Sequence, residues 1–213
     1  MITPGRSEDA EAIASQLAQG RPGTGHPHDP DRLLQTLKRA ANLLRQAGIP
    51  FALAGGGAAY ARGGAPPVHD IDFVLLDDDV AKAAAALDAG GMRVENPPED
   101  WLIKAHDGDR TVDLIFMLAD QPVTRALLDR AEELEVAATH MPVMDATDLV
   151  VAWLRVFSEH QADFAATLTC VRPLREQVDW GRVRAQTAGS PFAHAFLVLL
   201  EGLRVIAEAE GAP

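Results

Sequence analysis

Residues 53–73 contain a glycine-rich motif and read LAGGGAAYARGGAPPVHDIDF. A short apolar strand is predicted at 51–54, and it leads through the glycines into a short helix at 57–61. Backbone N–H groups at a helix N-terminus bind phosphate, and the absent side chains of Gly55 and Gly56 would let a phosphate approach closely. Tyr60 and Arg62 follow in the same segment and are candidates for stacking on a base or contacting a phosphate.

Two aspartates open the next strand of the same stretch. They belong to the run His69-Asp70-Ile71-Asp72-Phe73, and a strand is predicted at 71–76. Residues i and i+2 of a strand point to the same face, so we expect the two carboxylates side by side while Ile71 and Phe73 face the core. Carboxylates held that close repel one another unless a cation lies between them. Mg²⁺ is the expected cation, because it prefers oxygen ligands and keeps positions open for phosphates.

A third acid, Asp113, lies alone among hydrophobic residues in a strand predicted at 111–117. This strand is expected to form a hairpin with a strand at 101–105, with residues 106–109 as the turn. A buried carboxylate is costly without a partner, so a lone acid in this setting indicates a site. Three acids that converge can hold two metal ions, which is the arrangement used for in-line phosphoryl or nucleotidyl transfer.

Two other phosphate-binding motifs do not fit the glycines. No G-K-[ST] follows them, which excludes a P-loop, and the dinucleotide fingerprint G-x-G-x-x-G fails at Tyr60. Glycine clusters also occur in turns, and an Asp-x-Asp triplet arises often by chance. The prediction therefore depends on the order and spacing of the three motifs together.

The remainder of the chain is predicted to be an α/β half followed by a helical half, with mostly helical structure from Thr124 onward. The expected domains are an N-terminal helix with a Gly/Pro-rich segment (1–28), an α/β domain (29–143) and a helical C-terminal domain (144–213). The clearest helices are expected at 29–47, 80–89, 144–159 and 191–209.

Composition and charge limit the partners. The chain has 19 basic and 31 acidic residues, a formal net charge of -12, and residues 51–120 alone hold 13 acids and 5 bases. Nucleic-acid binders gain affinity from basic patches, so a nucleic-acid substrate is not expected. An acidic field attracts metal ions or a polycationic small molecule, although simple solubility would also explain it.

The chain has no signs of a membrane or disulfide-stabilised protein. No apolar run reaches the roughly 18–20 residues that cross a bilayer. Its single cysteine, Cys170, excludes an internal disulfide. We therefore expect a soluble, cytoplasmic protein that makes no membrane contact.

The order of the motifs resembles the nucleotidyltransferase superfamily, which has the DNA-polymerase-β-like fold. That family has a Gly-Gly or Gly-Ser pair, a short gap, an acid–hydrophobic–acid triplet and a third acid on a later strand. Here Gly55-Gly56 is followed by 13 residues, then by Asp70-Ile71-Asp72 and later by Asp113. The form looks most like the bacterial branch that contains antibiotic nucleotidyltransferases and the toxin-type nucleotidyltransferases of abortive-infection systems.

The resemblance implies an α/β (α+β) fold, in which helices flank a small mixed β-sheet and a helical C-terminal region follows. It implies that Asp70 and Asp72 are metal ligands and that Asp113 is a third ligand or the general base. Gly55 and Gly56 would then form the triphosphate cradle. The residues expected beside the nucleotide are Tyr60, Arg62 and His69, and the basic residues near enough to hold a triphosphate are Arg62 and Lys104.

The activity implied by this resemblance is Mg²⁺-dependent transfer of an NMP from a nucleoside triphosphate such as ATP. One or two Mg²⁺ ions would be used, and the acceptor would be a hydroxyl of a small molecule or a protein. The alternative is a toxin–antitoxin component, or a catalytically inactive nucleotide-binding or interaction protein with the same fold. The acceptor, the base and the oligomeric state stay open at this stage.

Overall fold

The computed structural model describes residues 30–67 and 70–207. Contacts within the chain divide it into two units: the described residues up to Asp145 form an α/β unit, and residues from Ala146 onward form a helical unit. The segment predicted at 1–28 and His69 lie outside the described residues. Across the two described ranges, no helix combines the length and apolar character needed to span a bilayer.

A seven-stranded mixed sheet forms the centre of the α/β unit and confirms the predicted fold class. The strands of the unit are β1 (Phe51–Leu53), β2 (Asp70–Leu75), β3 (Arg93–Glu95), β4 (Leu102–Asp107), β5 (Arg110–Ile115), β6 (Met117–Leu118), β7 (Gln121–Pro122), β8 (Glu132–Val136) and β9 (Thr139–Val143). The order across the main sheet is β3-β4-β5-β2-β1-β9-β8, and β6 pairs with β7 in a small separate ribbon. The β2–β5 and β1–β9 pairs are parallel, and the other neighbours are antiparallel.

The helices of this unit are α1 (Pro30–Gln46), α2 (Gly55–Ala61), α3 (Val80–Ala89) and α4 (Arg125–Leu128). Helix α1 buries Leu33, Leu37 and Leu44 along one face, as the helical spacing of these leucines predicts. It packs against α3 and against β2 and β5. Gly48, two residues past the helix, has φ +65, the left-handed conformation that commonly ends a helix.

The prediction that the chain is mostly helical from Thr124 onward is wrong for residues 132–143. These residues form the β8–β9 hairpin, and β9 pairs with β1 in the main sheet. The sheet is therefore larger than the four predicted strands, and it also includes β3 at its edge. Strand β8 is largely exposed and rich in glutamate, so it lacks the apolar alternation that indicates a strand.

The β4–β5 hairpin has a shorter turn than predicted. Strand β4 continues through His106 to Asp107, which leaves Gly108 and Asp109 as the turn. Gly108 has φ +68, as a two-residue hairpin turn requires. The change matters for the site, because His106 lies on the sheet rather than in a loop.

The helical unit consists of α5 (Ala146–Arg155), α6 (Phe164–Leu174), α7 (Trp180–Thr187) and α8 (Pro191–Gly202). Helices α5 and α8 end earlier than the predicted residues 159 and 209. Asp163, Asp179 and Ser190 cap α6, α7 and α8, each accepting a hydrogen bond from the backbone N–H three residues on. The aromatic core includes Phe157, Phe164 and Phe196, whose ring centroids lie 5.3–5.6 Å apart.

Candidate active site

Three aspartate side chains converge on the sheet of the α/β unit. Asp72 of β2 lies directly opposite Asp113 of β5, and Asp70 comes two residues before Asp72 on the same strand. One carboxylate oxygen of each residue lies within 4.8 Å of the others. Asp72 and Asp113 are 3 % and 1 % exposed, and Asp70 is half-buried. The structure thus brings together the three acids that the sequence spacing singles out, which we call the acidic triad.

The glycine-rich motif packs directly against this triad. The N–H of Ala54 donates to the backbone carbonyl oxygen of Asp72 at 2.8 Å, which holds the end of β1 beside β2. Gly55 begins α2 with φ +52, and a Cβ at this position would lie 1.8 Å from Oδ2 of Asp72. A side chain at 55 would therefore displace the carboxylate, so the two motifs depend on each other. Helix α2 begins at Gly55, two residues earlier than predicted.

Burial changes the protonation of all three acids. It raises the pKa of Asp70 and of Asp113 from 3.8 to about 6, although the Lys104 ammonium opposes the shift in both. Burial also raises the pKa of Asp72 well above 3.8, and repulsion from Asp70 and Asp113 raises it further. The sheet therefore holds three carboxyl groups whose ionised forms are costly unless a cation compensates them.

Lys104 is a basic residue in contact with the triad. It lies opposite Asp113 in the antiparallel β4–β5 pair, and its Nζ is 3.5 Å from Oδ2 of Asp113. Its side chain is only 18 % exposed. The sequence makes Lys104 a candidate for binding a triphosphate. It does not predict the ion pair with Asp113, because that contact depends on the register of β4.

The two faces of β4 have different partners. Asp107 accepts hydrogen bonds from Thr36 and Arg39, so it faces α1. Lys104 and His106 alternate with Asp107 along the strand and point to the other face of the sheet, with the acids. His106 contacts Glu95 of the edge strand at 3.0 Å. The face of the sheet that carries the acidic triad therefore has polar side chains as far as the edge strand.

The other residues predicted to bind the nucleotide differ in their burial and in their contacts. Gly56 has room for a methyl group, since a Cβ there would lie 3.6 Å from Cβ of Pro67. Tyr60 is half-buried on α2. Arg62 is buried: its Nε donates to the Met144 carbonyl oxygen at 2.9 Å, and its guanidinium pairs with Glu132 at 3.3 Å. These contacts tie α2 to the β8–β9 hairpin, and a nucleotide-binding role for Arg62 stays a prediction.

The residues of the triad fit a hard divalent cation. They offer three carboxylates with converging oxygens, and such oxygens are the ligands that Mg²⁺ prefers. Gly55 keeps the space beside Asp72 clear of side-chain atoms. Burial raises the pKa of Asp70 and of Asp113 to about 6 even with Lys104 nearby, so a bound cation would favour their ionised forms. Three converging carboxylates on a mixed sheet, beside a glycine-rich motif, are the arrangement that the resemblance to nucleotidyltransferases predicts.

The chain belongs to a known family within that class. The sequence pattern of a family described as "Uncharacterised nucleotidyltransferase" matches residues 29–206, which is most of the chain. No curated protein shows significant sequence similarity to it.

Solved structures share the fold at low sequence identity. The crystal structure of ANT(2")-Ia in complex with adenylyl-2"-tobramycin has a TM-score of 0.61 and 16% identity, covering 76% of this chain and 98% of the other. A solution structure of the antibiotic-resistance factor ANT(2'')-Ia has a TM-score of 0.60 and 14% identity, covering 83% of this chain and 99% of the other. An antigenic nucleotidyltransferase-like protein from Paracoccidioides brasiliensis has a TM-score of 0.54 and 12% identity, covering 84% of this chain and 91% of the other.

Proposed function

We propose that this protein transfers an NMP from a nucleoside triphosphate to a hydroxyl group of an acceptor, with Mg²⁺ as cofactor. The observation that carries the proposal is the convergence of the Asp70, Asp72 and Asp113 carboxylates beside Gly55, where a Cβ would collide with Asp72. Membership of the nucleotidyltransferase family supports the same reaction class. ATP is the first nucleotide to test.

The acids of the triad would hold the divalent ion, with Asp70 and Asp72 as ligands and Asp113 as a third ligand or the general base. When bound, Mg²⁺ supplies charge stabilisation for phosphoryl oxygens in an in-line displacement. The acceptor hydroxyl oxygen attacks the α-phosphorus, the new P–O bond forms, and the bond to pyrophosphate breaks. In the general-base role, a carboxylate oxygen of Asp113 accepts the hydroxyl proton, and a pKa of about 6 suits that role near neutral pH.

The glycines would form the phosphate-binding side of the site. Gly55 and Gly56 provide backbone N–H groups at the start of α2 without side chains that would block an approaching phosphate. Lys104 lies on the triad face and can offset phosphate charge. His69 and Tyr60 stay candidates for contact with the nucleotide.

We propose a small hydroxyl-bearing cation as the acceptor, with a protein side chain as the second candidate. The net charge of -12 and the acid-rich segment 51–120 favour a cationic molecule and disfavour nucleic acid. The ANT(2")-Ia complex holds adenylyl-2"-tobramycin, so tobramycin is a suitable first probe of this acceptor class.

Incubation with α-³²P-labelled ATP, Mg²⁺ and tobramycin tests the proposal, with each of the other nucleotides tried in turn. A small labelled product indicates a small-molecule acceptor, and label on the protein indicates a protein acceptor. Asp70→Asn and Asp72→Asn should each reduce labelling by about 10²–10³-fold or more, because each replaces a proposed carboxylate ligand of Mg²⁺ with a neutral amide.

Asp109→Asn is the matched control, since it makes the same chemical change in the β4–β5 turn, where the side chain is 77% exposed. It should retain full labelling. Labelling that survives both triad substitutions would rule the mechanism out. If ATP and Mg²⁺ together stabilise the protein against heat but no acceptor is labelled, the alternative of an inactive nucleotide-binding protein is favoured.

A further inference from the structure

Arg62 directly follows α2, and its guanidinium is buried in the α/β unit. The side chain is only 3 % exposed. Its Nε donates to the Met144 carbonyl oxygen at 2.9 Å, and its Nη2 lies 3.3 Å from Oε1 of Glu132. Glu132 begins β8, and Met144 directly follows β9. A buried guanidinium is costly unless its N–H groups are bonded, so these contacts restrict where the side chain can lie.

One residue, Met144, binds both ends of the segment that runs from the end of β1 through α2. Its N–H donates to the carbonyl oxygen of Leu53, the last residue of β1, at 2.9 Å. Its own carbonyl oxygen accepts from Arg62. The N–H of Ala54 donates to the backbone carbonyl oxygen of Asp72 at 2.8 Å. The backbone of Met144 therefore joins the start and the end of this segment, next to the strand that carries two of the triad acids.

The segment packs closely against its neighbours. A Cβ at Gly55 would lie 1.8 Å from Oδ2 of Asp72, and a Cβ at Gly57 would lie 2.9 Å from Cδ1 of Leu53. The backbone of α2 thus occupies space that a side chain would need. The seven residues of α2 make roughly two helical turns, so the helix moves largely as one body, and a displacement at Arg62 reaches Gly55.

We propose that Arg62 is a positioning residue: through its bonds to Met144 and Glu132 it holds the glycine-rich segment 55–61 beside the acidic triad, and it does not itself bind the nucleotide. The inference rests on the proposed function, because it takes this segment as the side of the site where the phosphates of the nucleotide lie. Without the Arg62 contacts, the segment stays attached at its start, and its far end can move away from the β8–β9 hairpin.

Steady-state labelling at varied concentrations of the nucleotide tests this inference. Arg62→Met keeps an unbranched stem in the buried position but removes both bonds. It should raise the KM for the nucleotide about tenfold and leave the KM for the acceptor unchanged. A loss of folded protein lowers the apparent kcat and leaves KM as in wild type, so a raised nucleotide KM distinguishes positioning from general destabilisation.

Arg45→Met is the matched control. Arg45 lies on α1 and donates to the carbonyl oxygen of His140 in the same hairpin, so the variant removes an arginine contact that involves α1 and not α2. It should leave the nucleotide KM unchanged. If Arg62→Met does not fold, Arg62→Lys serves the same test, because its ammonium keeps the charge beside Glu132 but lacks the planar fork, and it should raise the KM by a smaller factor. An unchanged nucleotide KM in the Arg62 variant, or an equal rise in Arg45→Met, would overturn the inference.

Hydrogen–deuterium exchange of the nucleotide-free full chain separates this inference from the proposed function, because it needs no activity. The amides of residues 58–61 should exchange faster in Arg62→Met than in wild type or in Arg45→Met, since the far end of α2 is released. If wild type transfers no NMP to any acceptor, faster exchange keeps the inference while the proposed activity fails, and unchanged exchange overturns both. If wild type transfers NMP but Arg62→Met keeps the wild-type nucleotide KM, the activity stands and the inference fails.

Discussion

The two units of this protein bury charge in opposite ways. In the helical unit, the buried Asp148 carboxylate pairs with the Arg182 guanidinium, and Glu201 pairs with Arg184 at 2.7 Å. In the α/β unit, three carboxylates converge, and the ammonium of Lys104 lies 3.5 Å from one of them, Asp113. Burial raises the pKa values of the three triad acids.

A buried acid matched by its own guanidinium is a structural feature, because its charge is compensated within the fold. Buried acids that outnumber their cations make the fold less stable, and such clusters occur where a ligand supplies the missing charge. On this argument we expect the triad to serve function and the Asp148–Arg182 pair to serve stability. Four predictions test this distinction.

The largest effect is expected for Gly55→Ala. The new Cβ would lie 1.8 Å from Oδ2 of Asp72, so the carboxylate must move out of the triad. NMP transfer should fall by about 10²–10³-fold, comparable to the loss of a catalytic hydrogen-bond donor. Steady-state labelling measures the change.

Gly48→Ala is the control for backbone strain alone, because Gly48 also has a positive φ, +65, but a Cβ there meets nothing within 4 Å. It should cost about 1 kcal/mol of stability and leave transfer unchanged. Equal activity of the two alanine variants would show that Gly55 does not protect the triad.

The next effect concerns the helical unit. Arg182→Met removes the guanidinium partner of the buried Asp148 carboxylate, and it should lower the free energy of unfolding by roughly 3 kcal/mol. Urea denaturation measures this loss. Adding Asp148→Asn to Arg182→Met should restore part of it, since the amide carries no charge. A stability close to wild type for Arg182→Met would contradict a structural role for the pair.

Asp72→Asn is expected to stabilise the metal-free protein, whereas Arg182→Met is expected to destabilise it. The Asp72 carboxylate is buried beside two other acids, so a neutral amide of the same shape should raise the free energy of unfolding at about pH 8. Asp148→Asn, the same change in the compensated pair, should destabilise. Urea denaturation in EDTA compares the two, and destabilisation by both would remove the distinction between the units.

The smallest effect is a pH dependence. The pKa of Asp113 is about 6 in the folded protein and 3.8 in the reference state, so the folded protein binds more protons between these values. The contribution of this acid to stability therefore falls as pH rises through 6. Asp113→Asn should gain about 1 kcal/mol relative to metal-free wild type between pH 5 and pH 8. A constant difference across that range would contradict the raised pKa.

Much of the site follows from local patterns in the sequence. The alternation around Asp70 and Asp72 predicts a strand with paired acids on one face, and a lone charge in an apolar strand singles out Asp113. Each of these signals depends only on residues that are close to one another along the chain. The adjacency of β2 and β5 is harder to predict, since it depends on a parallel pairing between segments that are distant in sequence.

The β8–β9 hairpin shows why other parts were missed. Its two-residue turn is Ala137-Ala138, with φ values of +49 and +61. Such turns normally carry asparagine or glycine, because those residues adopt positive φ at low cost. With alanines at the turn, an exposed acidic strand before it and Pro142 within β9, no local signal indicates a hairpin; contact with β1 stabilises it instead.

Lys104 was missed as a partner of Asp113 for a related reason. Nine residues separate the two in the sequence, and their contact depends on where the hairpin turn lies. A turn at 106–109, as the sequence predicts, would place Lys104 opposite Thr111 instead of Asp113. The observed turn at Gly108 and Asp109 pairs Lys104 with Asp113.

We infer that the three carboxylates together hold a divalent ion beside the glycine-rich motif. Crystals grown with Mn²⁺ and a non-hydrolysable ATP analogue locate such an ion, because Mn²⁺ is identified by its anomalous scattering. We expect an anomalous peak in contact with carboxylate oxygens of Asp70 and Asp72, adjacent to Asp113, with the phosphates beside Gly55 and Gly56. A peak elsewhere on the acidic surface, with the triad bound to no ion in the presence of nucleotide, would contradict it.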